Sequence, residues 1–165
     1  MRVRVVIGGP FNVYDEMREV AKRLEEVGIE VILPRQYRGM EDIESLRKHK
    51  EDILTGKINL SEEDYKRMGE VEKWFFEQIK NADYIVIYNK NIRSGEPIEG
   101  YIGVNTAIDI GCAIGSNKEV ILVFPPTDVG VRGLYSVGLI KVMNVEELTR
   151  YLKERKNLYE FRFSH

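Results

Sequence analysis

Val3-Arg4-Val5-Val6-Ile7-Gly8-Gly9-Pro10-Phe11 is the stretch on which the fold turns. Its first five residues are mostly β-branched and apolar, as a buried strand requires, and Gly8-Gly9-Pro10 then imposes a tight loop. Val13, Met17, Val20, Ala21 and Leu24 follow at helical spacing, so a helix is predicted over residues 13–27, stopping at Gly28. Residues 29–33 read as a second strand closed by Pro34. Strand, helix and strand in this order form a βαβ unit with a right-handed crossover and parallel pairing.

Working outward, Tyr84-Ile85-Val86-Ile87-Tyr88 and Val120-Ile121-Leu122-Val123-Phe124 are continuous apolar runs of the kind that parallel strands show when both faces are buried. Residues 139–143 give a fifth strand. Between the second and third strands the chain turns polar. It then carries a cap-like Ser61-Glu62-Glu63-Asp64 and an apolar stripe of Val71, Trp74, Phe75 and Ile79, which predicts a lid-like helix followed by a long packed one. Helices are also predicted over 106–115 and, capped by Asn144, over 145–155. Five strands alternating with helices imply one domain over residues 1–165: an α/β three-layer sandwich with a flavodoxin-like five-stranded parallel sheet, order 2-1-3-4-5. In that order ligands bind beyond the carboxyl ends of the first and third strands.

Composition narrows the function classes. The chain has 165 residues, 43% of them hydrophobic, and a formal net charge of −2 with both signs interleaved. That is enough to bury a core without staples, and it offers no basic stripe for a nucleic-acid polymer and no polybasic membrane patch. No charged-then-apolar leader is present and the apolar runs fall far short of the roughly 20 residues that span a bilayer. A soluble, cytoplasmic protein with no membrane partner is expected. One cysteine, Cys112, and two histidines, His49 and His165, make no metal pattern, so no metal and no cofactor is expected; Cys112 reads as a small core residue.

The chemistry concentrates in Gly100-Tyr101-Ile102-Gly103-Val104-Asn105-Thr106-Ala107-Ile108-Asp109. Thr106 with an acid three residues later has the form of a capping box, and an acid at a helix start is favoured by the helix dipole. The same environment would hold the carboxylate ionised, as a nucleophile requires, so Asp109 reads as either a cap or a nucleophile. Gly8, Gly9, Pro10 and Phe11 would let backbone approach a phosphate or a sugar hydroxyl, and equally suit a plain tight turn. Around the crevice Asn12, Tyr14, Asn89, Asn91, Tyr101 and Asn105 are further polar candidates, with Asn105 also an ordinary cap. Trp74-Phe75-Phe76 reads as core or interface, and Arg47-Lys48-His49-Lys50 as a solvated face.

Asn105-Thr106-Ala107-Ile108-Asp109-Ile110-Gly111-Cys112-Ala113 resembles the G-T-A-x-E-x-G-x-A signature of the nucleoside 2-deoxyribosyltransferase family. Ile7-Gly8-Gly9-Pro10-Phe11 is similar to that family's A-G-P-F motif, and Asn81-Ala82-Asp83 and Lys118-Glu119-Val120-Ile121 fall where its strand entries do. The resemblance implies a nucleoside or nucleotide as the small-molecule partner and transfer or hydrolysis at the N-glycosidic bond. Asp109 stands at the nucleophile's position, one methylene shorter than the family glutamate. Gly8 to Phe11, Tyr101, Asn105 and Thr106 then frame the substrate. Two acids that often accompany the nucleophile are replaced, at Gly103 and near Phe75. The alternative is a non-catalytic nucleotide-binding module that keeps the fold. The resemblance also implies a homo-oligomer completed by a C-terminal region, here carrying Tyr151, Leu158, Tyr159, Phe161 and Phe163.

Overall fold

The computed structural model describes residues 2–37 and 42–163. Seven strands and six helices are described: β1 (Arg4–Gly8), α1 (Tyr14–Glu26), β2 (Glu30–Ile32), α2 (Ile43–Leu54), α3 (Glu62–Asn81), β3 (Tyr84–Ile87), β4 (Lys90–Arg93), β5 (Glu96–Glu99), α4 (Val104–Gly115), β6 (Glu119–Leu122), α5 (Val129–Ser136), β7 (Ile140–Val142) and α6 (Val145–Phe163). The main sheet runs β2-β1-β3-β6-β7 with every pairing parallel. Counting only its own strands, that is the expected order 2-1-3-4-5.

Alternation along the strands builds the three layers, because successive side chains point to opposite faces. Val5, Ile7, Tyr84, Val86, Ile121 and Val123 face one cluster, filled by Met17, Val20 and Leu24 of α1 and Leu148 and Leu152 of α6. Val6, Ile85, Ile87, Val120 and Leu122 face the other, filled by Phe75 and Ile79 of α3, Ile110 and Ala113 of α4 and Val131 of α5. Trp74, Phe76 and Cys112 pack against this second cluster, as read from sequence. The caps expected at Ser61 and Asn144 are present as reciprocal boxes: Asp64 N–H donates to Ser61 Oγ at 3.1 Å, and Glu147 N–H to Asn144 Oδ1 at 2.9 Å.

Three differences from the sequence reading have local causes. The β4–β5 hairpin adds two strands to the five read from sequence; its turn is Ser94-Gly95, with both residues at positive φ (50° and 79°), as a two-residue hairpin turn requires. Its residues are largely polar and include Pro97, so no alternation announces it. α5 is a second addition, capped by Asp128, whose carboxylate accepts from Val131 N–H at 3.0 Å. α6 runs past residue 155 to Phe163 because Tyr151 and Tyr159 both dock on the first cluster. Leu158 and Phe161 stay exposed on that helix; the Phe163 side chain and His165 lie outside the described residues.

No helix among the described residues is long and apolar enough to cross a membrane.

Candidate active site

A cleft of about 600 Å³ opens beyond the ends of β1 and β2. That volume is within the range of small-molecule sites. Gly9, Pro10 and Phe11 form one wall, residues 34–37 and α2 a second, and α3 and α4 with Tyr101 and Gly103 the remainder. Gly9 is dictated by sterics: a Cβ there would lie 2.7 Å from the Tyr88 carbonyl oxygen, so the loop crosses the end of β3 only as glycine. Gly100, at φ +84°, brings the chain against the Pro125 carbonyl and delivers Tyr101 to the cleft.

Of the residues singled out from sequence, Gly9, Pro10, Phe11, Tyr101, Asn105, Thr106 and Asp109 all line this cleft. Gly8 does not; its α-carbon faces Ile87 and Phe75 in the core. Asn12, Asn89 and Asn91 are not cleft residues either. Asn89, fully buried, accepts from Phe124 N–H at 2.9 Å and donates to Phe124 O at 2.6 Å, tying the end of β3 to that of β6. Asn12 donates to Asn91 Oδ1 at 2.8 Å, and the Tyr14 hydroxyl donates to Pro34 O. Tyr101 accepts from Arg93 at 3.2 Å, with the guanidinium 5.0 Å from its ring centre.

The helix start differs from the capping-box expectation. The N-cap of α4 is Gly103, which has no side chain to cap with, so neither Asn105 nor Thr106 is the cap and Asp109 lies in the second turn. Thr106, Asp109, Ile110 and Ala113 form the buried stripe of α4, so Asp109 occupies a position that helical spacing reserves for core residues. It is 7% exposed.

What it meets there is Glu72 of α3. Glu72 lies three residues before Phe75 and seven before Ile79, on the inward face of a helix that packs on α4. A carboxylate thus stands one helical turn before Phe75, and an acid inside the apolar stripe of α3 was the signal for it. Burial and the neighbouring Glu72 carboxylate push Asp109 up from 3.8 to about 9. The expected lowering by the helix start is thus reversed, because desolvation and a like charge outweigh the dipole. Neither Asp109 Oδ1 nor Glu72 Oε1, both buried, receives a hydrogen bond from another described residue. Raised this far by burial beside a second carboxyl group, Asp109 keeps its proton at neutral pH.

Of Arg47-Lys48-His49-Lys50, read as a solvated face, Lys48 and Lys50 are exposed while His49 turns inward. Leu46 and His49 are buried, and Arg47 donates to Asn12 O at 2.7 Å, which pins α2 over the loop that follows β1. Among the described residues no group of three or more His, Cys, Asp or Glu side chains is placed to hold a metal ion.

No family model and no curated protein matches the sequence. Among solved structures, the CMP N-glycosidase BcmB of Clostridium botulinum superposes with a TM-score of 0.50 at 17% identity, covering 90% of this chain and 97% of that one. A 2-deoxyribosyltransferase from the psychrotolerant bacterium Bacillus psychrosaccharolyticus gives a TM-score of 0.43 at 18% identity over 77% and 76% of the two chains. The likeness to the first is one of fold.

Proposed function

We propose that this protein cleaves the N-glycosidic bond of a deoxynucleoside or its 5′-monophosphate, with Asp109 as nucleophile. The observation that carries the reading is the pairing of the Glu72 and Asp109 carboxyl groups on the wall of a nucleoside-sized cleft. The sequence motifs and the fold shared with an N-glycosidase support it.

Two carboxyl groups in one apolar site cannot both ionise cheaply, which divides their roles. As the bond from C1′ to the base nitrogen lengthens, its electron pair leaves with the base and positive charge gathers on C1′ and the ring oxygen. That cation places a positive charge beside Asp109. The pair's proton rests on Glu72 while an Asp109 oxygen bonds to C1′. An acceptor base or water then attacks C1′ and releases Asp109. Electrostatic stabilisation of this kind is strongest where water is excluded, as it is at Asp109.

The test is a panel of deoxynucleosides and their 5′-monophosphates, with and without an acceptor base, read as free base released. Release that disappears in Asp109→Ala is expected; no release from any member rejects the reading. A second reading, a nucleotide-binding module without chemistry, draws on the same pair, since a protonated Asp109 is a hydrogen-bond donor and a poor nucleophile. Saturable nucleotide binding without base release would select it.

A further inference from the structure

Helix α2 carries a side chain for which the carboxyl pair leaves an opening. His49 is 7% exposed, lines the same cleft as Asp109, and sits with its Nε2 2.6 Å from the Tyr37 hydroxyl. The two rings are 5.8 Å apart and tilted by 48°. No described residue is hydrogen-bonded to His49 Nδ1. Leu46, Ile53, Met68 and Phe11 line the same cleft and give it apolar surface suited to a flat heteroaromatic ring.

Departure of a nucleobase creates a problem that Asp109 and Glu72 do not solve: the base leaves with the electron pair of the broken bond and needs a proton. Resting on the N-glycosidic reading above, we propose that His49 is the general acid that protonates the leaving base from Nδ1, with Tyr37 as its positioning residue. In the imidazolium, Nε2–H donates to the Tyr37 oxygen and Nδ1–H points to the base. The C1′–N bond breaks, its electron pair goes to the base, the Nδ1 proton follows to a base heteroatom, and an Asp109 oxygen bonds to C1′. The ring is left neutral with its proton on Nε2, still held by Tyr37, because a hydroxyl accepts as readily as it donates. In the second half the acceptor base, or water, gives a proton back to Nδ1 as it attacks C1′, and the atoms balance.

The other titratable and charged groups lining this cleft are Arg35, Tyr37, Lys50, Glu72, Tyr101 and Asp109. Histidine is the one among these side-chain types that ordinarily titrates between pH 5 and 8.

The experiment compares the substrate that the wild-type protein cleaves with an analogue bearing an electron-withdrawing group on the base, which leaves without help. His49→Gln is expected to lose roughly 10²-fold or more in kcat on the parent substrate, much less on the activated one, and to lose the alkaline fall of the wild-type pH profile. Equal losses on both substrates, or none, would overturn the proposal, since a structural role does not sense the leaving group. Tyr37→Phe, which keeps the ring in place, provides a second arm: the midpoint of that fall moves if Tyr37 holds Nε2, and an unmoved midpoint contradicts it. A wild-type protein that releases no base from any substrate rejects the N-glycosidic reading itself, whereas normal release with equal His49→Gln losses rejects only the role of His49.

Discussion

Asp109 shows how far a residue's chemistry is set by contacts that lie beyond its local sequence. Folding keeps it protonated up to about pH 9, whereas the unfolded chain gives up the same proton near 3.8. Between those values the folded state binds more protons, so stability is highest at the acid end and falls as pH rises through the window. The slope contributed by one proton is at most about 1.4 kcal/mol per pH unit. Asp109→Asn removes it, so urea denaturation at pH 5, 6.5 and 8 is expected to show the variant gaining on the wild type as pH rises; parallel curves would contradict the buried pair. Active sites commonly sacrifice stability in this way. The sequence identified Asp109 as the residue to watch, from its position after a glycine-rich loop. It did not reveal the sign of the pKa shift. Helix-dipole reasoning sees only the neighbouring turn, while Glu72 arrives from another helix.

At the scale of elements, the ends of the strands hold the site together. Asn89 is the clearest case, its buried amide closing both the N–H and the C=O of Phe124 across the ends of β3 and β6. Asn89→Ala leaves two buried backbone groups unpaired, at about 1–3 kcal/mol each, so a loss of roughly 3 kcal/mol is expected in chemical denaturation. A loss below about 1 kcal/mol would mean that water replaces the clamp. From sequence Asn89 read as a ligand candidate, since an asparagine after a strand fits a crevice as well as a clamp. The strands were legible as short continuous apolar runs, and α1 and α3 from apolar residues at a spacing of 3.6. The hairpin β4–β5 and α5 were not, because a polar ladder with a proline and a helix with glycines at 130 and 133 carry weak periodicity.

Taken whole, the molecule is a sandwich whose parallel sheet places its loops at one end, and α2 folds over that end to close the cleft. The order of the sheet was readable because each strand is short, apolar and bounded by Gly, Pro or Asn, and parallel connection through helices leaves few topologies. The cleft's second wall was not, because Leu46 and His49 lie among charged neighbours that make α2 look solvated. The central claim is that sugar passes through a covalent bond to Asp109. It is tested most directly by acid-quenching the protein during turnover of a deoxynucleoside or its 5′-monophosphate and mapping its peptides by mass spectrometry. The account predicts a deoxyribosyl ester, or its 5′-phosphate, on the peptide that contains Asp109, absent from Asp109→Ala. Base release that continues undiminished in Asp109→Ala, with no sugar attached to any peptide, would contradict it.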